Sequence, residues 1–102
     1  MNIEYLDDFY IAGAKYYQLP WVLNELKIGD NVTLKPQPDN KYDDNAIEIY
    51  HQNYKLGFVP RNDNQYLAKL LIANVNLIAK VSALRLYSEQ YNQVKITLYL
   101  QK

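Results

Sequence analysis

Residues 38–51 read PDNKYDDNAIEIYH, and the rest of the chain is organised around them. The first half is a polar loop in which Asp39, Asn40, Asp43, Asp44 and Asn45 surround Tyr42. The second half alternates, with Ile47 and Ile49 on one side and Glu48 and Tyr50 on the other. That two-residue period predicts a strand from Asn45 to His51, with its isoleucines inward and Glu48 outward. An aromatic ring flanked by carboxylates and amides at the lip of a sheet is suited to holding a ligand. An Asx-rich turn accounts for the same residues, because Asp and Asn side chains cap their own backbone in loops. On these residues alone both readings stand.

Upstream, NVTLKP (31–36) is a short strand with Val32 and Leu34 inward, ended by Pro36 and Pro38. Downstream, HQNYK is a tight reversal into a partner strand, YKLGFVP (54–60). Gly57 inside that strand marks a bulge or a close backbone contact, and Arg61 lies just past its end. Asn62 or Asp63 can cap a helix near residues 63–74, with Leu67, Leu70 and Leu71 at helical spacing and Asn74 as its C-terminal cap. Residues 76–87 are β-rich. In QVKITLYLQ, Val94, Ile96, Leu98 and Leu100 alternate with Lys95, Thr97 and Tyr99, so the two segments form a hairpin. At the other end, residues 1–8 read as a polar lead-in. FYIAGAKYY (9–17) reads as the first strand, with Lys15 and Tyr16 at its exit. Residues 18–30 read as a connection with one turn that lays Trp21, Leu23 and Leu26 over the core. The tally is a mainly β fold: one domain over residues 1–102, a small OB-like antiparallel β-barrel of about six strands with one main α-helix.

Composition narrows the function. Eleven Lys and Arg balance eleven Asp and Glu. A neutral chain does not coat nucleic acid by bulk charge, although it can read a few nucleotides at a small site. The chain has no cysteine and one histidine, His51, so neither a disulfide nor a histidine–thiolate zinc site is expected. The N-terminus, MNIEYLDDFY, is acidic and has neither a signal-peptide nor a membrane-span pattern, which makes the cytoplasm the expected location. Eleven tyrosines suit half-buried strand positions, and some suit stacking on bases.

Several short motifs occur in order. They are FYIAGAKYY, Gly29-Asp30 before a strand, Asn40-x-Tyr42-Asp43-x-x-Ala46-Ile47, Gly57-Phe58-Val59-Pro60-Arg61, and the helix QYLAKLL. Together they resemble a HIRAN domain, most strongly over residues 9–87. The resemblance implies an OB-like barrel of the kind found at the N-termini of SWI/SNF-like fork-remodelling ATPases and as stand-alone bacterial and phage proteins. It also implies binding of single-stranded DNA at a free 3′ end, in the company of DNA-processing proteins. Carried onto this chain, it assigns DNA contacts to Lys15, Tyr16, Asn40, Tyr42, Asp43, Phe58 and Arg61. Lys15 stands where the DNA-binding relative has arginine, which turns a forked contact into a point charge. Phe58 stands where that relative has histidine, which keeps a ring and loses a hydrogen bond. Tyr91 is a candidate extra stacking ring.

The residues themselves add a chemical reason for Asp43. A carboxylate repels phosphate, but a free sugar hydroxyl can donate to it and an esterified oxygen cannot. Two other function classes compete with DNA binding. A protein-interaction module would use the Tyr-rich face or a sheet edge. A metal-dependent nuclease would gather Asp39, Asp43, Asp44 and Glu48 around a cation, but the calcium-loop spacing with its central Gly is absent, and so are a nucleophile–base pair and a Walker motif. No catalytic residue, metal or cofactor is therefore expected. Metal analysis of protein purified without chelators should find no stoichiometric metal, and one tightly held zinc per chain would refute this.

Overall fold

In a computed structural model, residues 2–85 and 93–102 are described. The strands are β1 (Ile3–Tyr10), β2 (Asn31–Pro36), β3 (Ile47–His51), β4 (Tyr54–Phe58), β5 (Leu77–Leu84) and β6 (Val94–Gln101). A short helix, α1 (Leu19–Val22), precedes β2, and a longer one, α2 (Arg61–Ile72), follows β4. All pairings are antiparallel, in the spatial order β1-β6-β5-β2-β3-β4. β2 belongs to both halves, so the sheet folds over at that strand. The alternating residues named above supply much of the core: Ile47, Ile49, Leu56, Ile96 and Leu98 are fully buried. Each such side chain contributes about 1.5–3 kcal/mol of burial. Leu67 and Ala68 of α2 join the same cluster.

The sheet is barrel-like, but no continuous ladder closes it. Its outer strands meet at one bridge. The Ala12 N–H donates to the Phe58 carbonyl at 2.8 Å, and the Phe58 N–H donates back to Ala12 at 2.9 Å. Gly57 makes this approach possible. It has φ of 151°, and a Cβ there would lie 2.5 Å from the Ala12 carbonyl oxygen. The ladder between β3 and β4 also slips by one residue just beside it.

The first strand differs from the sequence expectation. β1 spans Ile3–Tyr10, so it begins within what reads as a polar lead-in and takes only the first two residues of the expected strand. Two of its three acidic residues find cations on the chain beside it, Glu4 pairing with Lys102 at 2.6 Å and Asp8 with Lys95 at 3.4 Å, and Asp7 accepts from the Tyr66 hydroxyl. Gly13, with φ of 67°, then turns the chain into a 3₁₀ turn at Ala14–Tyr16, so Lys15 and Tyr16 are not on a strand. Trp21 does not cover the core; it is 84% exposed. Leu19, Val22, Leu23 and Leu26 take the inward face, and their spacing turns Trp21 outward. Asn45 lies in the turn before β3.

Glu48, expected to face solvent, is buried. Its carboxylate meets Lys55 Nζ at 2.7 Å and accepts from the Gln37 amide and, at 3.3 Å, from the Tyr50 hydroxyl. α2 begins two residues earlier than expected. Pro60 precedes it, and neither Asn62 nor Asp63 caps it. Asn74, with φ of 61°, follows its last turn as expected. Tyr87 and Tyr91 lie outside the described residues.

Gly57→Ala should destabilise the fold by about 2–4 kcal/mol, since it combines a backbone clash with an unfavourable φ. A urea melt checks this, and a midpoint equal to wild type would show that the bridge is not a tight constraint.

Candidate nucleic-acid interface

The loop between β2 and β3 is built by its own side chains. Its ends are joined by the Gln37 N–H, which donates to the Ala46 carbonyl at 2.8 Å. Asn40 Oδ1 accepts from the N–H groups of Tyr42 (2.9 Å) and Asp43 (3.1 Å). Asp43 Oδ1 then accepts from the Asn45 N–H at 2.9 Å. Two successive Asx turns result, and the ring between them, Tyr42, is 89% exposed. The turn-capping explanation of Asp43 is thus observed. Its other oxygen accepts from the buried Asn64 amide at 2.8 Å and lies 3.6 Å from Arg61 Nε. Asn64 stands on the first turns of α2, so Asp43 ties the loop to the helix.

The facing wall comes from the 3₁₀ turn. Tyr16 is 73% exposed, and Lys15 Nζ lies 4.9 Å from its ring centroid. Between the walls, Ala12, Phe58 and Val59 form part of the lining. Tyr17 meets Phe58 edge to face at 5.4 Å, and Lys55 Nζ lies 4.2 Å from the Tyr17 centroid and 4.4 Å from that of Phe58.

The resulting cavity has a volume of about 320 Å³. Six of the seven expected site residues line it: Tyr16, Asn40, Tyr42, Asp43, Phe58 and Arg61. Lys15 is on the same turn but outside the lining. Tyr17 and Asn64 line it without having been expected. Asn64 did carry a signal, because it is a polar residue at the i, i+3, i+4 spacing of the buried Leu67 and Ala68. Tyr17 carried none, because a strand over residues 9–17 misplaces its side chain.

The Asn45 N–H, the Asn64 amide and the Arg61 charge hold the Asp43 carboxyl below its ordinary range, against a smaller opposing effect of burial. Asp43 is therefore a carboxylate at neutral pH. Arg61 is 77% exposed and carries positive charge beside it. No described group of His, Asp or Glu side chains is placed to hold a metal. No described helix is long and apolar enough to cross a membrane.

The HIRAN domain profile matches residues 6–102. The chain belongs to the HIRAN family. A crystal structure of a protein from Lactobacillus plantarum is similar over 97% of this chain and 95% of its own, at 30% identity and a TM-score of 0.84. The HIRAN domain of human HLTF is similar over 98% of this chain and 81% of its own, at 17% identity and a TM-score of 0.70, which supports the shared OB-like fold. No curated protein matches the chain. HIRAN domains are a nucleic-acid-binding family of binding rather than catalytic domains, which supports a DNA-binding module.

Replacing Asp43 by Ala should cost about 1–3 kcal/mol of stability, because it leaves the buried Asn64 amide without an acceptor. Asp43→Asn, which keeps one acceptor oxygen, should cost less. The unfolded chain titrates this carboxyl at the ordinary carboxylate value, and the folded chain titrates it lower. The carboxylate's stabilisation is therefore present above that value and drains away as pH falls through the folded pKa. Urea melts from pH 6 to pH 3 should show a steeper acid loss in wild type than in Asp43→Asn. Parallel curves would contradict the assignment.

Proposed function

We propose that this HIRAN domain binds the 3′ end of single-stranded DNA in the cavity between the 3₁₀ turn and the Asn40–Asp43 loop. Tyr42 and Tyr16 stack on bases, which any base tolerates. Lys15 and Arg61 meet phosphates. Asn40 shapes the loop, Phe58 provides an apolar surface inside, and Asp43 accepts a hydrogen bond from the terminal hydroxyl. The domain acts as a binding unit over residues 1–102, in the cytoplasm, alongside proteins that process DNA.

The observation that carries this reading is the convergence of six residues, assigned from motifs far apart in the chain, on one cavity. Its volume is near the lower end of ligand pockets, about 300–1,000 Å³, which suits one nucleotide and not a duplex. Two strongly exposed rings, Tyr42 and Tyr16, are part of its lining. Asp43 uses one acceptor position on each oxygen for Asn45 and Asn64, and each oxygen has a second. A terminal hydroxyl can therefore bind without breaking the loop.

Fluorescence anisotropy with short single strands tests this. Wild type should prefer 3′-hydroxyl ends to 3′-phosphate ends and bind circular strands poorly. Tyr42→Ala should weaken binding by about 1–3 kcal/mol whatever the base. Asp43→Ala also loosens the loop, so its informative readout is the ratio of the two affinities, which should collapse toward one. Equal binding of circular and linear strands would end the end-capture reading. Binding to neither at low salt would make protein interaction the leading reading.

A further inference from the structure

We propose that Tyr10, Arg85 and Lys95 form a second nucleotide subsite, which takes the base and phosphate next inward from the end held in the cavity. This rests on the end-binding reading above and gives the strand a direction of exit.

The placement follows from β1. Phe9 and Ile11 are buried, so the alternate residues Tyr10 and Ala12 face the other way. Ala12 lines the cavity. Two residues along a strand cover about 7 Å, a stride comparable to one nucleotide of an extended strand. Tyr10 therefore stands one step from the cavity on the same side of β1, with its ring only half-buried.

Two cations converge on that ring. Lys95, its direct partner on β6, places Nζ 5.8 Å from the ring centroid. Arg85, just past β5, places Cζ at 5.3 Å, and its backbone is fixed by a 2.8 Å bond from its N–H to the Gln93 carbonyl. A single cation over a ring is ordinary packing. Two cations over one ring repel each other unless an anion joins them. Asp8, which also accepts from the Tyr5 hydroxyl, lies 3.4 Å from Lys95 and offsets that charge. Among the described residues no carboxylate pairs with Arg85, which is exposed. Among the described residues, then, Arg85 has no carboxylate partner beside this half-buried ring, and a cation beside a stacking ring is the combination that binds a nucleotide through base and phosphate together.

The test uses two probes: thymidine 5′-monophosphate, which fills only the cavity, followed by NMR titration, and 3′-hydroxyl octathymidylate, followed by anisotropy. Arg85→Gln should leave mononucleotide affinity unchanged and weaken the octamer several-fold. It should also make the log-affinity against log-salt slope shallower by about 0.7. Arg85→Lys should keep the wild-type slope. Tyr10→Leu should weaken the octamer about tenfold without touching the slope. Arg85 is exposed, so its variants fold whatever becomes of Tyr10→Leu, and melting curves verify this. If wild type prefers free 3′ ends but Arg85→Gln binds the octamer with unchanged affinity and slope, the subsite is refuted and end binding stands. If wild type shows no end preference but Arg85→Gln still flattens the salt dependence, end binding falls and the subsite's place next to the end falls with it, while the phosphate contact of Arg85 stands. If wild type binds neither probe, both are overturned.

Discussion

The backbone N–H of Ala12 donates to the Phe58 carbonyl, and the Phe58 N–H donates back. These two bonds join the outer strands of the sheet and fix both walls of the cavity relative to each other. On one side, the chain after Ala12 turns at Gly13 to present Tyr16 and Tyr17. On the other, Phe58 leads through Pro60 into α2, whose Arg61 and Asn64 reach Asp43. Nearby, the Gln18 N–H donates to the Lys55 carbonyl at 2.9 Å, and the Gln18 side chain accepts from the Lys55 N–H at 2.8 Å. That pairing occupies more of the edge of β4. A side chain at position 57 would push these strands apart, which links the choice of one glycine to the geometry of a site several residues away.

Asp43 holds structure and chemistry in one carboxylate. Its bonds to the Asn45 N–H and to buried Asn64 are what hold the loop against the helix, and they also keep it ionised. A carboxylate fixed in this way cannot swing away from an incoming phosphate, so its repulsion is built into the site. Discrimination between a hydroxyl and a phosphate needs that rigidity, because a mobile side chain would simply withdraw. Tyr42 is the complement. Its backbone is pinned by Asn40 while its ring extends into solvent, so the loop fixes the place from which the ring projects.

Most of the strands could be read from composition and alternation, because β2, β3 and β6 turn alternate apolar residues toward one core. β1 could not, because Glu4 and Asp8 are paired with Lys102 and Lys95, cations more than eighty positions away in the chain. Trp21 was misread because an aromatic residue in an apolar run suggests burial, whereas helical spacing assigns the inward face to Leu19, Val22, Leu23 and Leu26. Within the site, residues presented by local turns, such as Asn40, Tyr42 and Asp43, were legible in the motif itself. Asn64 showed only that it faces the core, because its partner lies 21 positions away, and Tyr17 was not legible, because a left-handed glycine changes the direction of the chain just before it.

The misreading of Glu48 bears on how a neutral protein can hold DNA. Its alternation places it outward, yet Gln37, Tyr50 and Lys55 cover it and leave it buried. Removing either member of a buried pair leaves the other charge uncompensated, at about 3–5 kcal/mol. Lys55 is thereby held against Tyr17 and Phe58, and its charge is balanced internally and not offered to a ligand. The same network reaches Gln37, whose backbone closes the base of the Asn40–Asp43 loop. Aromatic wall and recognition loop are thus braced by one ion pair that adds nothing to the net charge. Among the residues that line the cavity the cation is Arg61, which stands well exposed beside Asp43. Attraction at long range is correspondingly weak in such a site, and on the proposed reading affinity comes from stacking and from the fit of one chain end.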